Sequence, residues 1–128
     1  MSSQDVDIPC STNPCQLITE TSETEILVVN HLLVASRPQY IGQKYSFTFF
    51  VKLIAGNDIS VVLQISPDSK EWFIDGAWQT LNTPPLYTTD RTILTADHYA
   101  FFARVAATPR DGNGQLAIIL QSKQFCNE

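Results

Sequence analysis

Apolar and polar side chains alternate along much of this chain, and this period of two constrains the fold more than any other feature. The alternation is clearest in residues 45–55 (YSFTFFVKLIA) and 115–125 (QLAIILQSKQF). Val, Ile, Thr and aromatic residues are frequent in both segments, and these residue types fit a pleated sheet. The residues predicted to face inward are Tyr45, Phe47, Phe49, Val51 and Leu53 in the first segment and Leu116, Ile118 and Leu120 in the second.

Further strand-like segments recur at short intervals, with turn residues between them and no convincing amphipathic helix. They predict an all-β fold, an antiparallel β-sandwich of the jelly-roll type with about seven or eight strands. We expect the Pro-rich residues 82–90 to connect two sheets and residues 109–114 (PRDGNG) to form a hairpin turn. The additional strand segments are residues 16–21, 25–36, 58–66, 71–81 and 98–108, with a break at Asp75-Gly76.

The net charge of −5 is distributed unevenly over the 128 residues. Five acidic residues and no lysine or arginine precede Arg37, whereas from Arg37 onward eight acids balance eight bases. We predict an acidic N-terminal arm over residues 1–15 and a single β-sandwich domain over residues 16–128. Nucleic acid is disfavoured as a partner, because phosphate binding needs clustered lysine and arginine.

No apolar run approaches the roughly 20 residues that cross a bilayer, so we expect no membrane span. The first 16 residues (MSSQDVDIPCSTNPCQ) have neither the basic nor the apolar region of a signal peptide. We therefore expect synthesis in the cytoplasm, with export by another route or on a particle left open.

Residues 64–75 (QISPDSKEWFID) combine an apolar strand end, a polar turn and two aromatic residues. Pro67 presets φ and the side chains of Asp68 and Ser69 can accept hydrogen bonds from nearby amides, so a tight turn is predicted. The stretch resembles a degenerate Asp-box, the hairpin motif of sialidase propellers, with Ser66, Asp68 and Trp72 matching and the glycine missing. One copy is present and a propeller needs several blades, so the resemblance implies a hairpin and not a glycosidase.

A broader resemblance covers residues 45–122. A hairpin of the form S-P-D-x-x-x-W, a late strand with aromatic residues and an arginine (YAFFARVAAT), a Gly-rich turn and a final LAIILQSK are similar to small β-sandwich domains of phage tail and capsid-associated proteins. This resemblance implies a structural role, as a subunit or a decoration of a repeating assembly such as a virion.

The sequence lacks the common catalytic motifs. Asp97-His98 is an adjacent acid–imidazole pair, but neighbours in a strand point to opposite faces, so we do not expect Asp97 to orient His98 as a triad acid does. No G-x-S-x-G elbow occurs, and the five glycines lie in turns or loops without a nucleotide-binding pattern. We therefore predict no enzyme activity and no cofactor.

Three cysteines, Cys10, Cys15 and Cys126, are the candidate disulfide or metal-binding residues. With His31 they could form a Cys₃His zinc site, although the C-x₄-C spacing is wider than in most zinc knuckles. A Cys10–Cys15 disulfide or a link to a neighbouring subunit is favoured over zinc, and reduced thiols are the default without a secretory signal. No calcium ladder occurs among the loop aspartates, so we predict no metal site and leave a converging calcium loop open.

The candidate ligand or interface residues are the aromatic side chains Trp72, Phe73, Trp78 and Tyr87. Exposed aromatic faces beside Asp75, Gln79 and Asn82 would suit the stacking of sugar rings. Buried aromatic side chains would instead fill the core or a subunit interface, and we favour this second interpretation.

The leading hypothesis is a non-enzymatic structural subunit that assembles with copies of itself or decorates a larger particle, with the acidic arm ordered on a neighbour. Strands that are apolar on both faces exceed the needs of one core and could supply the interface. The alternative is a carbohydrate-binding module. The second-face apolar residues are Phe50, Ile54, Val62, Phe102 and Ile119.

Overall fold

The computed structural model describes residues 18–30, 32–83, 89–110 and 112–125. These residues form ten β-strands and no helix, which confirms the predicted all-β class. No helix in this part of the chain is therefore long and apolar enough to span a membrane. The strands are β1 (Ile18–Val29), β2 (Val34–Ala35), β3 (Gln39–Tyr40), β4 (Lys44–Ala55), β5 (Ile59–Ser66), β6 (Phe73–Ile74), β7 (Gln79–Leu81), β8 (Arg91–Leu94), β9 (Phe102–Pro109) and β10 (Gly114–Phe125).

The strands form two antiparallel sheets that enclose one buried apolar cluster. The first sheet has the order β1-β10-β4-β8, and the second has the order β2-β9-β5-β6. Strand β3 follows β2 along β9, and β7 follows β6 along β5. When each of these pairs is counted as one interrupted strand, eight positions remain in the order of a jelly roll, as the sequence predicted.

The core is built from the predicted alternation. Phe49 and Val51 of β4 are buried and pair with Leu120 and Ile118 of β10. The second sheet contributes the facing side chains of β5 and β9, including Leu63. Burial of one such side chain contributes about 1.5–3 kcal/mol, so the paired β4 and β10 are a major source of stability.

The central strand β5 is buried on both of its faces. Val62 points away from the core cluster and is nevertheless fully buried. Beside it, Gln64 Oε1 accepts a 2.7 Å hydrogen bond from Arg104 Nε. The Arg104 guanidinium lies 4.1 Å from the centre of the Trp72 ring. Val62 is therefore covered within the chain and does not supply the exposed interface residue that the sequence suggested.

Several predicted boundaries are wrong, each for a tertiary reason. The connection between β9 and β10 falls within the predicted residues 109–114, but β9 and β10 lie in different sheets, so the two strands do not make a hairpin. Strand β1 joins the predicted segments 16–21 and 25–36 as far as Val29, because β10 offers it twelve consecutive partners. Strand β8 was not predicted, since four residues carry little periodic signal. Tyr45 is exposed rather than inward, and β8 pairs only with residues 49–52 of β4.

Two turns that cross between the sheets meet at one corner of the sandwich. A Cβ atom at Gly56, whose φ is +98°, would lie 2.6 Å from the carbonyl oxygen of Asn113. A Cβ atom at Gly114 would lie 2.7 Å from the carbonyl oxygen of Ala55. Backbone meets backbone at this corner, so side chains are excluded at both glycines.

Candidate assembly surface

The outer face of the β1-β10-β4-β8 sheet is rich in exposed apolar side chains. Successive residues of these strands point to opposite sides, so the residues between the core positions face away from the second sheet. We call this surface the outer apolar face. It consists of Ile26 and Val28 of β1, Ala117 and Ile119 of β10, Phe50 and Ile54 of β4, and Ile93 of β8.

The sequence predicted three residues of the outer apolar face, namely Phe50, Ile54 and Ile119. Phe50 and Ile119 are half-buried, whereas Ile54 is 50% exposed. Ile93 is 60% exposed, and sequence reasoning missed it together with the strand that carries it. This face is therefore more extensive than the alternation alone indicated.

A groove runs over β4 and β8 on this face. The register aligns Ile119, Phe50 and Ile93 in one row across β10, β4 and β8. The next row places Lys52 opposite Arg91. These five residues line a shallow groove of about 570 Å³, which we call the β4–β8 groove.

The two cationic residues of the β4–β8 groove differ in their salt bridges. Arg91 Nε lies 3.0 Å from Asp90 Oδ1, and this hydrogen bond lowers the pKa of Asp90 and raises the pKa of Arg91. Lys52 is exposed and makes no salt bridge within the described residues. The groove thus presents two cations beside three apolar side chains, with one carboxylate at its border.

The turn between β5 and β6 has the predicted hydrogen bonds to Asp68, but the second acceptor is Ser66, and Ser69 contributes its amide. The buried Ser66 hydroxyl accepts hydrogen bonds from the amides of Asp68 and Ser69 at 3.2 and 2.8 Å. Asp68 Oδ1 accepts hydrogen bonds from the amides of Lys70 and Glu71, and these bonds lower the pKa of Asp68. The predicted hairpin is confirmed, because β5 and β6 pair in the same sheet.

The four predicted aromatic residues do not form one cluster in the described residues. Trp72 is half-buried under Arg104, whereas Phe73 is 57% exposed and Trp78 is 42% exposed. Strand β6, which follows Trp72, pairs with β5 at Ile65, and strand β7, which follows Trp78, pairs with β5 at Val61. These positions are four residues apart, so the two tryptophans are separated by about 13 Å along β5. Tyr87 lies outside the described residues.

An aromatic pocket lies at one end of the second sheet. Phe73, Tyr99 and Phe101 line a cavity of about 270 Å³ beside the β5–β6 turn. The rings of Tyr99 and Phe101 meet edge to face, with 6.0 Å between their centroids. The sequence predicted both residues inside a strand, but β9 begins at Phe102 and both side chains are exposed.

The structure pairs His98 with Asp75, a contact that the sequence did not indicate. The carboxylate of Asp75 accepts hydrogen bonds from the amides of Asp97 and His98 at 2.8 and 3.1 Å, and it lies 2.9 Å from His98 Nδ1. Burial acts to raise the pKa of Asp75, but the hydrogen bonds from the imidazole and the two amides outweigh it and lower the pKa. The hydrogen bond to Asp75 and the charge of that carboxylate raise the pKa of His98.

The Asp75–His98 pair ties the connection between β8 and β9 to the end of β6. The imidazole is exposed, and in the described residues no hydroxyl or thiol group forms a hydrogen bond with it. Asp97, the neighbour in sequence, is exposed and contributes its amide rather than its carboxylate. The break at Asp75-Gly76 was visible in the sequence, but the burial of Asp75 was not.

The cysteines and His31 lie outside the described residues, so the predicted disulfide, inter-subunit and zinc alternatives stay predictions. In the part of the chain that the structure describes, no three His, Cys, Asp or Glu side chains are grouped as metal ligands would be. Two of the loop aspartates, Asp68 and Asp75, are instead bonded to nearby amides.

Comparison with known proteins places the fold in context. No curated protein matches the sequence. A solved chain from Bacillus endospore appendages, described as forming a novel family of disulfide-linked pili, is similar in fold, with a TM-score of 0.56 and 10% sequence identity. The match covers 95% of this chain and 100% of that chain. The family described as a domain of unknown function, DUF6385, matches residues 41–124, which is 84 of the 128 residues, and this chain therefore belongs to the DUF6385 family.

Proposed function

We propose that this chain is a structural subunit that assembles with copies of itself through the outer apolar face. The observation that carries the proposal is the continuity of this face over all four strands of one sheet. Monomeric soluble proteins rarely expose contiguous apolar patches of more than a few hundred Å². An exposed face of this kind favours contact with another protein surface.

The outer side of the whole sheet, which includes the outer apolar face and the polar residues around Glu20, Thr48 and Lys123, has the size that this role needs. Strands β1, β4 and β10 each have 12 residues. At about 3.3 Å per residue and about 4.8 Å between strands, they cover about 600 Å² before β8 is added. A standard interface buries about 800 Å² per partner. With the four residues of β8 the outer side of the sheet covers about 650 Å², which is at the lower end of the range of about 600–1,000 Å² per partner for standard interfaces.

The cysteines supply a covalent complement to this interface. The sequence has three cysteines, so any intrachain disulfide leaves one thiol over. The solved chain of similar fold comes from appendages described as disulfide-linked pili. We propose that Cys10, Cys15 or Cys126 links neighbouring subunits, and that the non-covalent contact between sheets brings the thiols together.

Light scattering across a wide range of concentration tests the proposal. We expect a defined oligomer or filament for the wild-type chain and a smaller mass for Ile54→Ser combined with Ile93→Ser. Ile74→Ser is the matched control, because Ile74 is similarly exposed but lies on the other sheet. A wild-type chain that stays monomeric at every concentration, with and without oxidant, would contradict the proposal.

A second experiment tests the covalent link. Non-reducing gel electrophoresis of the oxidised assembly should show bands of dimer and higher mass that reductant removes. A variant with serine at all three cysteine positions should lose these bands and keep the non-covalent contact at high concentration. Covalent bands that persist in this variant would refute the disulfide link.

The resemblance to phage-particle domains implies a second form of this proposal, in which the partner is a larger particle. The same outer apolar face would then contact a different chain. Co-sedimentation with assembled particles, compared between wild type and the Ile54→Ser/Ile93→Ser variant, separates this form from self-assembly.

A further inference from the structure

The β4–β8 groove combines two kinds of side chain in a fixed arrangement. Its apolar row contains Ile119, Phe50 and Ile93, and its cationic row contains Lys52 and Arg91. The rows are two residues apart along the strands, which is about 7 Å. A matching partner needs acidic groups along one side and apolar groups along the other.

The N-terminal arm of this chain has that pattern. Residues 5–8 read Asp-Val-Asp-Ile, and side chains alternate sides in an extended segment. Asp5 and Asp7 would then lie on one side, and Val6 and Ile8 on the other. No lysine or arginine occurs before Arg37, so no cation of the arm would oppose the groove.

We propose that the β4–β8 groove binds residues 5–8 of the N-terminal arm of a neighbouring copy. The segment crosses the strands between the two rows, with its acidic side toward Lys52 and Arg91 and its apolar side toward Phe50 and Ile93. This inference rests on the proposed function, and it names the partner segment and the place where it binds.

The spacings are compatible with this arrangement. Alternate residues of an extended segment are about 6.6 Å apart, and neighbouring strands are about 4.8 Å apart. The long side chains of Lys52 and Arg91 bridge the difference between the two repeats. Lys52 makes no salt bridge in the described residues, and its charge acts only at longer range on Asp90, whose pKa it lowers, so the arm would give it a direct acidic partner.

The two sides of the segment contribute differently. Exposed ion pairs contribute little and are screened by salt, so the acids mainly select the partner and its orientation. Burial of the two apolar side chains contributes more to affinity. We therefore expect Val6→Ser combined with Ile8→Ser to weaken assembly about tenfold or more, and added salt to weaken it less.

Reversal of charge provides the decisive test. Variant X carries Asp5→Lys and Asp7→Lys, and variant Y carries Lys52→Glu and Arg91→Glu. Alone, each variant places like charges together, so the concentration needed for assembly should rise about tenfold or more. The control carries Lys70→Glu and Arg110→Glu, the same change in charge on exposed residues outside the groove, and should assemble as the wild type does.

Mixing X with Y distinguishes binding between copies from binding within one chain. The reversed arm of X matches the reversed groove of Y, and the unchanged arm of Y matches the unchanged groove of X. An equimolar mixture should therefore regain the assembled mass that neither variant has alone. The mass is measured by light scattering under the conditions in which the wild type assembles. Thermal unfolding curves check that variants X and Y are folded.

Each outcome has a definite meaning. Restored assembly in the mixture supports the inference. If the wild type assembles but X and Y assemble equally well alone, or if their mixture regains nothing, the inference is overturned while the proposed function stands. A monomeric wild type overturns both the inference and the proposed function.

Discussion

Asp75 has a structural role that its local sequence does not indicate. It follows a two-residue strand and precedes a glycine, which in sequence is an ordinary turn. In the structure it is buried and satisfies two amides and one imidazole that arrive from the connection between β8 and β9. A buried carboxylate with three donors organises the loop around it.

Replacement of Asp75 should therefore be costly. Asp75→Ala leaves two amides without an acceptor, and we expect a loss of about 1–3 kcal/mol in the free energy of unfolding, measured with urea. Asp97→Ala is the control, because its exposed side chain accepts none of these bonds, and its effect should stay within about 0.5 kcal/mol. Equal losses for the two variants would rule out the assigned role.

The same pair predicts a dependence of stability on pH. The pKa of His98 is raised above its ordinary value of about 6.5, so its contribution is complete below that value and is lost as the pH rises through the folded-state pKa. The pKa of Asp75 is lowered from about 3.9, so its contribution is complete above that value and is lost as the pH falls through the folded-state pKa. Both contributions are therefore present between about pH 4 and 6.5.

Titration of the His98 imidazole by NMR measures this effect directly. We expect a midpoint above about 6.5 in the wild type and a return toward that value in Asp75→Asn. The melting temperature of the wild type should exceed that of His98→Gln most at mildly acidic pH. A midpoint for His98 that is unchanged in Asp75→Asn would contradict the assignment.

Strand β4 shows how one element serves two surfaces. Phe49 and Phe50 are adjacent and point in opposite directions, so Phe49 is buried in the core while Phe50 lines the β4–β8 groove. Strand β5 differs, because Val62 and Gln64 on its second face are buried and Gln64 accepts a hydrogen bond from Arg104. The apolar residue on the second face of β4, Phe50, is therefore available to a partner, whereas the corresponding residue of β5, Val62, is buried within the chain.

The two phenylalanines make a matched pair of variants. Phe49→Ala leaves a core cavity and should reduce the free energy of unfolding by about 3–5 kcal/mol. Phe50→Ala should reduce it by about 1 kcal/mol and should mainly weaken assembly. Chemical denaturation and light scattering of both variants check the two effects. The opposite ranking of the stability losses would show that the faces are assigned the wrong way round.

At the scale of the whole molecule, the chain alternates between sheets at its main turns. The turn from β4 to β5 and the turn from β9 to β10 both cross from one sheet to the other, and they touch at Gly56 and Gly114. The 2.6–2.7 Å distances from the added Cβ atoms to carbonyl oxygens leave no room for a side chain. Closure of the sandwich at this end depends on these two glycines.

Gly114→Ala tests the close approach at this corner. The methyl group would meet the carbonyl oxygen of Ala55 and the side chain of Ile59, and we expect a loss of about 1–3 kcal/mol from the displaced backbone. Asn113→Ala is the control, because Asn113 is exposed. A thermal unfolding curve for Gly114→Ala that coincides with that of the wild type would show that the corner can relax.

Features that depend on neighbouring residues could be predicted from the amino-acid sequence. Alternation along β4 and β10 identified the all-β class and, for residues 49–53 and 116–120, which side chains face inward, because Cβ atoms switch sides at every residue of a strand. The Ser66–Asp68 turn was equally readable, since its acceptors and donors lie within five residues of one another. Local chemistry is sufficient for both.

The pairing of the strands and the exposure of their outer faces depend on contacts that the sequence pattern does not specify. Asp75 and His98 are 23 residues apart, and no pattern in either segment refers to the other. The alternation marked Phe50 and Val62 alike as second-face residues, but the chain covers Val62 and leaves Phe50 beside Ile93 of an unpredicted strand. The physical reason is that alternation specifies two sides of a strand, whereas burial of the second side depends on contacts between distant parts of the chain.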